Sequence, residues 1–415
     1  MGKSTKPRGA APPPLPFADA LEAGDAEALG ALLLAALRAR NPAVTAVADV
    51  RIAQQRGEAF TGGRSTPVYD VAATLTVRGT TKHRAFVAKV VRHGGGSERD
   101  AFRRASYANE RAFYAAPDAL RGRVATPTAI AAEGDDERTC LVLTDLREGS
   151  AAFPDHPELL RGGALAAAVR ALARFHAAFY AKSPAAVEAR SKLFPRGTFW
   201  RLDAPGARPF APTAWPAALR WLEARDGGAG GPLRLLAARL GRAAPAIDAA
   251  LRAAAPAHGT VVHGDWKAAN LFFSDAAVAC VDFQYAGGGL GAQDLAYVLF
   301  PDARGDFLGD GEEGVVDAYF DAFTEALAAS AGGSYASYKR PLFRRHYELA
   351  RLDFFRYMLG NGWAPATDAD DRAVRAAEAA LGAIDGIVED DAGLSVHVVD
   401  RQDYGALVRD FVASG

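Results

Sequence analysis

Apolar and polar positions along this chain change period near its first third. Val44 to Gln54 and Val68 to Val77 read as β-like runs, and Arg84 to Val91 reads as an inner strand with Lys89 between apolar neighbours. Ser97 then resembles an N-cap, with an acidic residue three positions on, for a helix running to about Tyr114. Leu141 to Leu146 reads as a buried strand leading into a charged loop. Beyond it the period is helical. Over Ala164–Lys182 the apolar positions Leu165, Val169, Leu172, Phe175, Phe179 and Tyr180 share one face. Further helices are expected over Gly314–Ala329, Tyr335–Leu359, Asp368–Val388 and Asp400–Val412. One short β-like interruption falls among them: Gly259 to His263 is an apolar approach, and Leu271–Phe273 and Val278–Val281 form two strands around Ser274-Asp275. Ala31 to Leu37 reads as an amphipathic or buried helix, and residues 1–16, with Pro12-Pro13-Pro14, as a solvated extended tail.

Composition narrows the class. At 415 residues and 50% hydrophobic content the chain can build more than one sizeable core. A net charge of −1 gives no electrostatic case for nucleic acid or an anionic membrane. No apolar stretch approaches the length of a membrane helix. Cys140 and Cys280 sit inside apolar runs, which fits buried hydrophobes in a reducing compartment; the cytoplasm is expected, and the oligomeric state is not legible.

The densest chemistry lies in His263-Gly264-Asp265-Trp266-Lys267-Ala268-Ala269-Asn270 followed by Val281-Asp282-Phe283-Gln284. Asp265 and Asn270 fall on the loop before the first short strand, and Asp282 just past the second. Phosphoryl transfer asks a protein chiefly for positioning, charge neutralisation and a carboxylate near the attacking hydroxyl, and these three groups can supply them. Each alone also reads as a turn or cap residue. The ordered set argues otherwise. Lys267 belongs to only eight lysines against forty arginines, and its ammonium can reach a phosphate or remain a solvated charge. Lys89, between apolar residues, calls for a carboxylate. Glu98 and Glu110 are twelve residues apart, about 120° around a helix, so only one can face Lys89. Glu110 shares its face with Phe113 and Tyr114 and is the choice.

His263-Gly264-Asp265, Asn270, Val281-Asp282-Phe283-Gln284 and Asp294-Leu295-Ala296-Tyr297 resemble the aminoglycoside phosphotransferase and choline kinase superfamily, nearest to its ecdysteroid-kinase-like branch. The resemblance is strong over roughly residues 260–300 and weaker from about 54 to 146. It implies an α+β, two-lobed protein-kinase-like fold, with a small antiparallel-sheet lobe over 17–143 and a larger, mainly helical lobe over 144–415. It also implies an ATP- and magnesium-dependent kinase of a small hydroxylated molecule. Carried over by motif, Asp265 is the base, Asn270 and Asp282 bind magnesium, and Asp294, with His263, braces the catalytic loop through backbone amides. Glu110 to Tyr114 resembles the family's Glu-x-x-Phe-Tyr, and Lys89 would hold the α- and β-phosphates. Gly57 to Gly63, with Gly57 and Gly62, suits a phosphate-covering loop and equally an ordinary hairpin turn. Leu143 to Leu146 resembles the family's hinge, placing Thr144 and Asp145 at the adenine.

Two alternatives remain. A Ser/Thr protein kinase shares the base, the Asn and Lys267, but needs an activation segment ending in Ala-Pro-Glu; twelve residues separate Asp282 from Asp294, and no such triplet exists. Gln284 also replaces the Gly of Asp-Phe-Gly. A nucleotide-binding pseudokinase would be favoured had Lys89, Asp265, Asn270 or Asp282 been lost, and all are present. Phe199, Trp200, Trp215 and Trp221 can line an acceptor pocket or serve as core. His176 reads as a satisfied histidine outside catalysis, and Asp353 and Arg356 carry no assigned role.

Overall fold

The computed structural model describes residues 15–54, 67–94, 96–115, 125–148, 152–154, 157–180, 184–203, 219–220, 223–224, 232–300, 311–329, 338–361, 363, 368–385 and 403–414. Gly57, Gly62, Trp215 and Trp221 lie outside the described residues. The chain divides into two compact units, Met1–Ala115 with Pro127–Ala151, and Ala116–Thr126 with Ala152–Gly415.

The first unit is a five-stranded antiparallel sheet in the order β1-β2-β3-β5-β4, built from β1 (Val44–Gln54), β2 (Val68–Val77), β3 (Thr80–Arg92), β4 (Ala129–Gly134) and β5 (Arg138–Thr144). Two N-terminal helices, α1 (Pro16–Ala23) and α2 (Ala26–Arg40), cover one face. Because side chains alternate across a strand, Phe86, Ala88 and Val90 enter this layer with Leu21, Leu29 and Leu33. Burying each leucine contributes roughly 2 kcal/mol. Lys89, one residue out of phase, lies on the opposite face. There α3 (Glu98–Ala115) packs on β4 and β5. Ser97 caps α3: its Oγ accepts the Asp100 N–H at 3.0 Å and donates to the Asp100 carboxylate at 2.7 Å.

α1 corrects the tail expectation at its end. Leu15 and Phe17 are buried, and Pro16 occupies the first turn, where its missing N–H costs nothing. Ala31–Leu37 proves to be part of the longer α2, which Asp25 caps through the Ala28 N–H.

The second unit is mainly helical: α4 (Gly162–Ala178), α5 (Pro184–Lys192), α6 (Pro232–His258), α7 (Gly291–Val298), α8 (Glu312–Ala328), α9 (Arg340–Gly360), α10 (Asp368–Asp385) and α11 (Tyr404–Ala413). α6 continues through Pro245 and Pro256. Two small antiparallel pairs sit within it, β6 (Thr260–Val262) with β9 (Gly287–Gly289), and β7 (Leu271–Phe273) with β8 (Val278–Cys280). Glycine forms all of β9 for a steric reason: a Cβ at Gly287 would stand 2.4 Å from the Phe194 carbonyl, and one at Gly288 2.5 Å from the Pro195 carbonyl. An α+β, two-lobed kinase-like fold results. Among the described residues, no helix is long and apolar enough to cross a membrane.

Candidate active site

The loop between β6 and β7 is clamped from below. Asp294, in the first turn of α7, accepts the N–H of His263 at 2.6 Å and that of Gly264 at 2.9 Å, one with each carboxylate oxygen. His176 of α4 approaches Asp294 Oδ2 at 3.1 Å, and its other ring nitrogen meets the Tyr319 hydroxyl at 2.6 Å. All three side chains are fully or nearly fully buried, so each polar group needs these partners. The amide partners expected for Asp294 are present, and His176 is a satisfied core histidine that holds the clamp. Gly264 adopts φ +80°, and a Cβ there would stand 2.4 Å from the Tyr285 carbonyl, so no other residue fits without strain.

His263 links both sides of the loop. One ring nitrogen faces the Val281 carbonyl at 3.1 Å, so it carries the proton, and the other accepts the Asp265 N–H at 3.2 Å. Burial pushes the imidazole below its usual value, against neighbouring carboxylates that favour the charged form. A neutral ring matches both partners.

Asp265 is 4% exposed, yet richly solvated by protein. Its Oδ2 accepts the Asn270 amide at 3.0 Å and faces Lys267 Nζ at 2.9 Å, and its Oδ1 accepts the Tyr297 hydroxyl at 2.7 Å. Burial first, and the Asp265 charge second, push Tyr297 well above its ordinary value, so the phenol is a permanent donor. An ionised carboxylate offers about four acceptor sites. Three donors leave room for one more.

Asn270 spends both N–H bonds on Asp265, on its backbone carbonyl at 2.9 Å and on its carboxylate. Its amide oxygen therefore points elsewhere. The Val281 N–H bonds the Asn270 carbonyl at 3.0 Å, which sets Asp282 beside this turn. Asp282 holds φ +69°, an uncommon conformation for a residue with a side chain and one that clusters at functional sites. An amide oxygen and a carboxylate are hard donors that suit magnesium, which takes few protein ligands and completes its shell with phosphate and water. The donor set fits. Among the described residues, no group of three or more His, Cys, Asp or Glu side chains forms a ready metal cage.

In the sheet unit Lys89 Nζ pairs with Glu110 Oε2 at 3.1 Å and lies 4.9 Å from the Tyr107 ring centre. Glu110 is buried and Lys89 partly exposed, so the ammonium keeps access for a ligand. At the end of β5 the Thr144 and Asp145 N–H groups are committed to the Thr128 and Ala85 carbonyls, at 2.9 and 3.0 Å. Burial pushes the Asp145 carboxyl up, but its side-chain bond to Arg147 at 2.6 Å, the Arg147 N–H and the Arg147 charge together hold it below the usual carboxylate range.

Tyr297 is the residue the sequence reading missed. Its signal was present: it stands three residues after Asp294, hence one helical turn along the same face. Behind it, Trp200 is fully buried and stacks on Tyr297 at 5.1 Å, so this tryptophan is core and does not line a pocket. Arg356, buried and paired with Asp353, donates to the Trp200 carbonyl at 2.7 Å and fixes that stack. Cys140 and Cys280 are buried thiols pushed upward by burial, in keeping with packing roles.

None of the curated proteins matches the chain at a significant level. Among solved structures, a choline/ethanolamine kinase family protein from Mesorhizobium loti is 14% identical, covering 88% of this chain and 93% of its own, with a TM-score of 0.39. Choline kinase from Cryptosporidium parvum is 12% identical over 80% of this chain and 88% of its own, at 0.37. An amicoumacin kinase solved with AMP-PNP and Ca2+ is 11% identical over 82% and 88%, at 0.38. The model of the phosphotransferase enzyme family matches residues 57–332, about two thirds of the sequence and the whole catalytic hairpin, and the chain belongs to that family.

Proposed function

We propose that the protein is an ATP- and magnesium-dependent kinase that phosphorylates a hydroxyl of a small metabolite in the cytoplasm, with Asp265 as the base. The observation that carries this reading is the Asp265 carboxylate, oriented by Tyr297, Asn270 and Lys267 and left with one open acceptor site. An acceptor O–H placed there gives its proton to Asp265 as its oxygen attacks phosphorus. Lys267, beside the base, lends positive charge to the transferring group. Asn270 and Asp282 would hold magnesium, which when bound neutralises charge on the nucleotide phosphates. Lys89, held by Glu110, is assigned to the α- and β-phosphates, Thr144 and Asp145 to the adenine end, and Gly57 and Gly62 to a covering loop. Placement nearest the ecdysteroid-kinase-like branch rests on residues 260–300 alone.

The segment after Asp282 disfavours a protein kinase. It forms β9 against β6 and enters α7, so it backs the catalytic loop and leaves no length for a peptide-binding segment.

Incubation with labelled ATP, magnesium and a panel of amine alcohols, sugars, sterols and aminoglycosides should show transfer of label to at least one of them. Asp265→Asn should abolish transfer while keeping nucleotide affinity, and Asp282→Asn should weaken magnesium-nucleotide binding. Labelling of casein-like protein with none of the alcohols accepted would overturn the reading. Equal loss of nucleotide binding in both variants would overturn the division of roles.

A further inference from the structure

A cavity of about 330 Å3 opens in the helical unit, and no residue of the catalytic loop 263–270 lines it. β6 begins in its wall at Thr260 and ends one residue before His263, so the cavity lies at the far end of that strand. The size suits a small metabolite.

The lining carries three guanidiniums, of Arg190, Arg196 and Arg252, and no carboxylate. Behind it, Asp248 serves two of these cations at once, Arg196 at 2.5 Å and Arg252 at 3.0 Å; Asp203 adds a second bond to Arg196 at 2.8 Å. Arg190 donates to the Gly259 carbonyl at 3.1 Å, which holds its head at the wall. Arg196 and Arg252 each have five N–H donors in a planar fork, more than their contacts with Asp248 and Asp203 use.

Gln293 adds a neutral polar group to the same wall. It is 7% exposed and lines the same cavity. Its Oε1 accepts the Leu290 N–H at 3.0 Å, while its Nε2, a pure donor, makes no hydrogen bond among the described residues. Leu251 and Pro256 add an apolar wall beside these groups.

We propose that this cavity binds a small organic anion, a phosphate ester or carboxylate with a short apolar body, at a site separate from the catalytic loop. Guanidinium forks match both head groups, and the Gln293 amide supplies a neutral donor beside them.

Titration calorimetry on the full chain, with inorganic phosphate, 3-phosphoglycerate and citrate as probes and glycerol as the neutral control, tests the proposal. At least one anion should bind and glycerol should not. Gln293→Glu retains the oxygen that caps Leu290 and replaces the free donor with a negative charge; it should weaken binding tenfold or more. Arg252→Gln, at an exposed edge of the wall, should weaken it severalfold. Anion held at a nucleotide site elsewhere would bind Gln293→Glu as tightly as the wild type, and that result overturns the proposal. So does the absence of binding by all three anions.

Discussion

Tyr297 donates its hydroxyl to Asp265 Oδ1 at 2.7 Å from the same helical face on which Asp294 grips the backbone of the same loop. One turn of α7 thus fixes both the path of the catalytic loop and the orientation of its carboxylate. A hydrogen bond to a charged group contributes about 1.5–3 kcal/mol. Tyr297→Phe, which keeps the stack on Trp200, should lower kcat by roughly ten- to a hundredfold with nucleotide affinity kept. Unchanged turnover would leave Tyr297 as packing alone.

Asp294→Ala should be costly to the fold. It strips acceptors from the His263 and Gly264 N–H groups and from His176, all buried, at about 1–3 kcal/mol for each unmet group. Denaturant unfolding should show a loss of 3 kcal/mol or more. Asp294→Asn, which keeps one acceptor oxygen, should fall between the two.

Lys267 is partly exposed beside Asp265, so its removal should spare stability. Lys267→Met is expected to keep Tm and to lose turnover, by an amount near the ~3 kcal/mol that one oriented donor supplies to a transition state. Full activity in this variant would make the lysine a solvated loop charge.

Acid should destabilise the protein partly through His346, in α9. Burial first, and the neighbouring His258 second, lower it from its ordinary value to about 4. The folded state then resists a proton that the unfolded chain takes up below about pH 6.5, so stability present above that pH is lost as pH falls toward 4. The shift corresponds to a loss on the order of 3 kcal/mol. His346→Gln should show a shallower decline of Tm over this window than wild type, and parallel curves would refute the assignment.

The His263-to-Asn270 spacing, the Asp282 that follows and the Asp294 beyond it were legible because one short hairpin and one helix turn carry them, and local backbone geometry fixes their relation. Lys89 and Glu110 were legible for a similar reason: strand alternation and helical angle each select a face, and one carboxylate remained. The buried start of α1 was hidden behind a proline-rich approach.

By itself the sequence determined the α+β order of elements, and it singled out the loop from His263 to Asn270 and the groups that build it. Only the tertiary structure decided that Trp200 is core, that Lys267 rests on Asp265, that Tyr297 orients the Asp265 carboxylate, and that His176, 118 residues from Asp294 in the chain, completes its clamp. The physical reason is range. Periodicity and spacing set which face a residue occupies within its own element, whereas the partner on that face is chosen by packing between elements far apart in sequence, which no local pattern encodes.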